Sequence, residues 1–223
     1  MIAGNRFIAE FVASRISSSR KPPQIEQIPT CIRLADYQVA QLTHREGKKP
    51  IVGWIGTSHN LAYLSEATWA LREAAKRIDF KLLIVTGNMD HLPAAELDGV
   101  DWEFRAWRSD REASDLREMD IGLMPLPAGN EWMIYKCGLK LIQYMAIGIP
   151  GIASPIGVNP EILANQSAGR LADTPESWLS ALTELLTSPQ LRHQCGAEGR
   201  KQVERGYSIE AHWPAIERAL VGR

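Results

Sequence analysis

Apolar and polar positions along this chain follow two periods, and the switches between them mark out its elements. Ile51-Val52-Gly53-Trp54-Ile55 is a short run with no polar face, the pattern of a strand buried on both sides. It stops at Gly56-Thr57-Ser58. Leu64, Ala67, Leu71, Ala74, Ala75 and Ile78 then recur at helical spacing, which predicts an amphipathic helix. Phe80–Val85 is a second buried strand, closed by Thr86-Gly87-Asn88. The spacing predicts a third strand over Trp102–Trp107, a short acidic helix over Glu112–Glu118 and a fourth strand over Ile121–Leu126. A helix over Leu139–Ala146, a fifth strand over Ile149–Ala153 and a sixth over Ala168–Leu171 follow.

The tail is helical. Thr174 before Pro175 and Ser188 before Pro189 are helix starts, and Ser208 opens a last helix through Trp213 and Leu220; a hydroxyl caps free amides and proline suits a first turn. Ahead of Ile51 the pattern is weaker. Phe7, Ile8, Phe11, Val12 and Ile16 share one face of a helix over 5–16. Ser17–Pro23 reads as a loop, Gln24–Ile28 as an extended piece and 36–50 as a polar linker.

Strands that alternate with helices predict an α/β, Rossmann-like parallel sheet with helices on both faces. Ligands in such sheets sit beyond the carboxyl ends of the strands. The loops to watch are therefore 56–60, 86–88, 125–138 and 154–160.

Composition removes several function classes. The 223 residues are 45% hydrophobic and 23% charged, enough for an ordinary core. A net charge of -1 carries no basic field for nucleic acid or an anionic membrane. Cys31, Cys137 and Cys195 are too scattered for a disulfide framework or a zinc site, which fits a reduced, cytoplasmic chain. No apolar run spans a bilayer, and Met1–Ile16 lacks the apolar stretch of a signal peptide. The five histidines have no metal-ligand spacing, so no metal is expected. No G-x-S-x-G elbow is present.

Three stretches are left to carry chemistry. In Gly53-Trp54-Ile55-Gly56-Thr57-Ser58-His59-Asn60, glycine lets backbone approach a ligand, and the following helix offers amides to phosphate. The same residues equally make a tight strand-to-helix turn. In Lys136–Pro150, Gly138 opens a helix with Lys136 and Lys140 at its start. A cation there opposes the helix dipole, a cost that a bound anion removes. Lys140 and Gln143 share a face and suit a diphosphate and a ribose, although spacing alone is also met by lysines that reach solvent. Ser154–Ile162 is a turn-rich loop, with Asn159 as an N-cap in its plainest reading. Among the tryptophans, Trp69 and Trp178 fall in helical patterns and read as core, whereas Trp132 lies in a loop beside the proposed site and is the better ligand contact.

The order of these stretches resembles a known family. Asp120–Leu126, Lys136–Pro150 and Ala153–Ile162 resemble the C-terminal, sugar-nucleotide-binding domain of the two-domain (GT-B) retaining glycosyltransferases of group 1, or family 4. The similarity runs back to Gly53–Thr57 and Val85–Asn88 and forward through Gly169-Arg170-Leu171, Trp178, Leu182, Leu191-Arg192 and Gly199. Ile2–Phe11 and Ile28-Pro29-Thr30 look like the last strand-helix-strand of the family's N-terminal, acceptor-binding domain. The resemblance thus implies a remnant of that domain and a linker over 1–45, the nucleotide-sugar domain over 46–207 and a C-terminal helix over 208–223.

It further implies a nucleoside-diphosphate sugar as substrate, UDP ahead of GDP, no cofactor, and a saccharide or lipid-linked acceptor met through the domain of which only a remnant is seen. Any contact with the inner membrane would be peripheral and through that domain, and this chain alone would not transfer sugar. The donor-binding residues implied are Gly56, Thr57, Ser58, Thr86, Gly87, Lys136, Gly138, Leu139, Lys140 and Gln143, with catalytic residues unassigned. The family's two glutamates, eight positions apart, are replaced by Tyr135 and Gln143, with Glu131 near enough to reach in. His59 and Asn60 stand where an arginine and a lysine are usual. A GT-B sugar-nucleotide epimerase and a non-catalytic nucleotide-sugar-binding remnant are the alternative readings.

Overall fold

The computed structural model describes residues 1–16, 24–39 and 48–221. The expected loop over 17–23 and residues 40–47 of the expected linker lie outside them. Strands β1 (Ile2–Ala3) and β2 (Glu26–Gln27) pair in parallel across helix α1 (Arg6–Ile16). None of the apolar residues of α1 is fully buried, and Phe11 stays 40% exposed.

The six expected strands form one parallel sheet: β3 (Ile51–Ile55), β4 (Lys81–Thr86), β5 (Trp102–Ala106), β6 (Ile121–Met124), β7 (Gly151–Ala153) and β8 (Gly169–Leu171). Their spatial order is β5-β4-β3-β6-β7-β8. Counted from β3 this is 3-2-1-4-5-6, a doubly wound sheet whose direction of winding reverses between β3 and β6. Two strands are shorter than their apolar runs for a simple reason. Pro125 and Pro150 have no N–H for a ladder, so β6 stops at Met124 and β7 starts at Gly151.

Helices cover both faces. On one face α2 (Ser65–Ala75) and α6 (Pro175–Thr187) pack over Val52, Trp54, Leu82 and Ile84; on the other α4 (Leu139–Ile147) packs over Ile55, Leu83, Val85 and Met124. The alternation along β3 and β4 is the period of two that a strand imposes. Helices α3 (Glu112–Arg117), α5 (Asn159–Ile162), α7 (Pro189–Gly206) and α8 (Ile209–Val221) complete the order. Among the described residues, no helix is long and apolar enough to cross a membrane.

The expected caps form. Thr174 Oγ1 accepts from Ser177 N at 3.2 Å, Ser188 Oγ from Leu191 N at 3.2 Å and Ser208 Oγ from Ala211 N at 3.1 Å. Asn159 differs from expectation. It lies inside the first turn of α5, after Val158, and its Nδ2 donates to Ser154 O at 3.0 Å. Trp178 is core, at 2% exposure, but Trp69 is not. It is 44% exposed because Ala67, Thr68, Ala70, Leu71 and Ala74 form the inward side of α2.

The reversal point is built around Tyr144. Paired residues of β3 and β6 end at Gly53 and Gly122, and the strands separate beyond them. The buried Tyr144 hydroxyl bridges the gap: it accepts from Ile55 N at 3.2 Å and donates to Leu123 O at 3.2 Å. Glycine at 122 makes room for the ring, since a Cβ there would lie 2.2 Å from it. The crevice this opens is where the site lies.

Candidate functional site

A cavity of about 580 Å³ opens at the carboxyl ends of β3 and β6. Ile55, Gly56, Thr57, Ser58 and Asn60 form one wall, Lys136, Cys137, Gly138, Leu139, Lys140 and Gln143 another, and Gly87, Trp107 and Glu112 the end. Nine of the ten residues expected at a donor site line it: Gly56, Thr57, Ser58, Gly87, Lys136, Gly138, Leu139, Lys140 and Gln143. The tenth, Thr86, is fully buried behind the wall, and among the described residues its Oγ1 has no hydrogen-bond partner.

Local geometry explains the convergence. Gly138 takes φ +66°, which suits glycine, and a Cβ there would lie 2.2 Å from Ile162 Cδ1. Helix α4 starts directly after it with no side-chain cap and no acid in its first turn. Its first amides therefore have no intrahelical acceptor and point toward the crevice end. Facing them, Asn60 Nδ2 donates to Thr57 Oγ1 at 3.0 Å, and Lys136 Nζ donates to Asn60 Oδ1 at 3.4 Å.

Two ammonium groups thus enter one cavity. Lys140 Nζ lies 5.2 Å from the centre of the Trp54 ring and Lys136 Nζ 5.5 Å from that of Tyr63. Among the described residues no carboxylate pairs with either one. Burial, and then repulsion from Lys136, brings the pKa of Lys140 down to about 8. Burial also lowers that of Lys136. Two cations without a counter-charge at a positive helix end are unfavourable alone and favourable around an anion.

The far end of the cavity has the opposite character. Glu112, at the start of α3, accepts at Oε1 from Tyr37 Oη (2.9 Å) and Gln143 Nε2 (2.8 Å), and at Oε2 from Trp107 Nε1 (2.8 Å). Burial pushes the Tyr37 hydroxyl up to about 12. Neither Trp107 nor Glu112 is among the residues expected at the donor site. The missed signal is that Trp107 directly follows β5, whose carboxyl end meets Thr86: Trp107 N donates to Thr86 O at 2.9 Å. Asn5 was also missed. Its buried Nδ2 donates to Tyr135 O at 3.1 Å and to Lys136 O at 3.4 Å, so the β1–α1 unit holds the segment that carries Lys136.

Two expectations fail, and His59 stands apart from the site. Trp132, 71% exposed, does not line this cavity but a second one with Phe11 and Tyr135. Glu131 lines that second cavity too and does not reach the lysines. His59 stacks near His91, ring centres 5.2 Å apart, and is not on the cavity wall. The positions of Trp132 and Glu131 follow from the turn over Glu131–Tyr135, where Asn130 Oδ1 accepts from Trp132 N, so that this segment lines the other side of the loop from Lys136. Among the described residues there is no cluster of three or more His, Cys, Asp or Glu able to hold a metal.

The family model described as glycosyl transferases group 1 matches residues 49–188, well over half of the chain. The chain belongs to the group 1 glycosyltransferases. No curated protein sequence matches it. Among solved structures, sucrose-phosphate synthase from Thermosynechococcus elongatus is 18% identical with a TM-score of 0.68, over 99% of this chain and 58% of that one. Anabaena Alr3699/HepE in complex with UDP and glucose is 14% identical with a TM-score of 0.69, over 100% of this chain and 63% of that one. The C-terminal domain of a group 1 glycosyl transferase family protein (LpcC) from Francisella tularensis is 20% identical with a TM-score of 0.60, over 80% of this chain and 99% of that one. This group 1 glycosyltransferase chain therefore has the GT-B C-terminal domain fold and spans about 60% of the length of the longer relatives.

Proposed function

We propose that the cavity binds the nucleoside diphosphate of a sugar donor, UDP ahead of GDP, and that the reaction served is retaining transfer of the sugar to a saccharide or lipid-linked acceptor. The observation that carries this reading is the pair Lys136 and Lys140, without a counter-charge, at the opening of α4. The diphosphate lies between Lys140 and the first amides of α4 on one side and Gly56-Thr57 on the other. The base lies toward Gly87 and the ribose toward Gln143. The UDP and glucose named for Alr3699/HepE support the same ligand class.

The chemistry follows from charge. Breaking the bond between sugar and diphosphate leaves extra negative charge on the departing phosphate. Lys140 and fixed backbone amides stabilise that charge as it develops, without reorganising. The acceptor is brought to the donor in a closed, water-poor cleft. Cytoplasmic assembly of a surface polysaccharide or glycolipid, with at most a peripheral membrane contact, is the setting that fits this donor.

Calorimetric titration of UDP and GDP into wild type and Lys140→Ala tests the reading. Wild type should bind, and the variant should bind about tenfold to a hundredfold more weakly, the effect of losing a contact of about 1.5–3 kcal/mol to a charged group. Equal binding would make Lys140 a surface residue and Lys136 the next candidate. No binding by wild type would overturn the donor-site reading and favour an idle remnant that has lost nucleotide binding.

A further inference from the structure

The ribose end of the cavity contains a carboxylate that comes from a different element than α4. Gln143 is the α4 side chain there, yet it is only 6% exposed, and its Nε2 is committed to Tyr37 Oη at 3.1 Å and Glu112 Oε1 at 2.8 Å. A carboxylate only accepts, so it fixes the amide with nitrogen toward Glu112 and the carbonyl oxygen away from it. Among the described residues no donor meets that carbonyl oxygen.

An ionised carboxylate such as that of Glu112 has about four acceptor positions. Tyr37 and Gln143 take two on Oε1, and Trp107 takes one on Oε2. One position on Oε2 is left, and among the described residues Glu112 is the only acid on the cavity wall. The end of the cavity thus presents two open acceptors, one on Glu112 and one on Gln143, and no spare donor from either side chain. A vicinal diol supplies two hydroxyl donors and matches this pair.

We propose that Glu112 and Gln143 together receive the 2′- and 3′-hydroxyls of the donor ribose, with Glu112 supplying the charged acceptor and Tyr37 and Trp107 holding it in place. The inference rests on the donor-site reading above and adds the residue that selects ribose. Three bonds already orient Glu112, so it loses little freedom when the diol arrives.

The experiment compares UDP with 2′,3′-dideoxyuridine diphosphate by calorimetry, on wild type, Glu112→Gln, Gln143→Glu and the double exchange Glu112→Gln/Gln143→Glu. The quantity read is the preference for the ribose form, a ratio that general weakening of binding does not move. Wild type should prefer UDP by about tenfold to a hundredfold, as for hydrogen bonds to a charged group. Glu112→Gln should lose most of that preference. Gln143→Glu sets two carboxylates against each other and should lose it too, and the double exchange, with one carboxylate and one amide again, should recover it. A Glu112→Gln variant that keeps the wild-type preference overturns the inference and leaves the donor site standing, as does a wild type that binds both nucleotides equally. A wild type that binds neither overturns both.

Discussion

Gly56 and Lys140 share a single van der Waals space: a Cβ on residue 56 would lie 2.7 Å from Lys140 Cε and 2.9 Å from Trp54 Cη2. Trp54 is fully buried and cannot yield, whereas the end of a lysine can. Glycine at 56 thus lets the Lys140 stem lie along the indole with its ammonium in the cavity. Gly56→Ala should push the lysine away and weaken UDP binding about tenfold, the loss of part of a charged contact. The loss should not add to that of Lys140→Ala, because both remove one interaction. A double-mutant cycle by calorimetry checks this, and additive losses would show that Gly56 meets the ligand independently.

A lysine with a pKa near 8 makes affinity depend on pH. The binding form is the charged one, and a bound diphosphate raises the pKa of Lys140 again. Between about pH 7 and 8 the ammonium is mostly charged and affinity should change little. Above 8 the free protein loses this proton while the complex keeps it, so UDP affinity should fall with pH, by up to about tenfold per unit. Stability of the free protein runs the other way. The unfolded chain keeps the ordinary lysine value of 10.5 and binds more protons than the folded chain between about 8 and 10.5, so Lys140 makes stability rise with pH across that window. Lys140→Met should melt higher than wild type at pH 7 without ligand and lose the pH dependence of UDP binding. A variant that melts lower, or still shows the alkaline fall in affinity, would assign the effect to another group.

The sheet was legible because both sequence signals agreed at each step. Ile51–Ile55 is apolar throughout and Phe80–Val85 is apolar except at Lys81, as strands buried on both faces require, and glycine or threonine closes each one. The lysine wall was legible for a similar reason, since Gly138 and the two lysines lie within five residues. The ribose end was not. Tyr37, Trp107, Glu112 and Gln143 come from four separate segments, and only the β5-β4-β3-β6 order brings them together. A tryptophan after a strand and a glutamate at the start of a short helix carry no local mark of a shared site. Trp69 and Trp132 were misplaced for the converse reason: position in a helix or a loop does not say which side of that element faces the ligand.

Thr86 tests how far the cavity wall extends. The resemblance places it with Gly87 among the donor-binding residues, but its side chain is fully buried and its hydroxyl has no partner among the described residues. A buried hydroxyl left without a bond costs about 1–3 kcal/mol. Valine has nearly the same shape, keeps the backbone N–H and C=O, and leaves Thr86 O free to accept from Trp107 N as now. It also suits a strand, being β-branched like threonine. Thr86→Val should therefore be neutral or stabilising, and the shift should be upward by a few degrees if the full cost is relieved, at about 2–4 °C per kcal/mol for a chain of this size. UDP affinity should stay within about twofold, since a change under about 0.4 kcal/mol is all that a residue behind the wall transmits. Thermal melting and calorimetric titration of the one variant read both quantities. If the melting point rises while affinity falls tenfold, the hydroxyl turns into the cavity when nucleotide binds, and the base then makes a hydrogen bond to Thr86 that the free protein does not display.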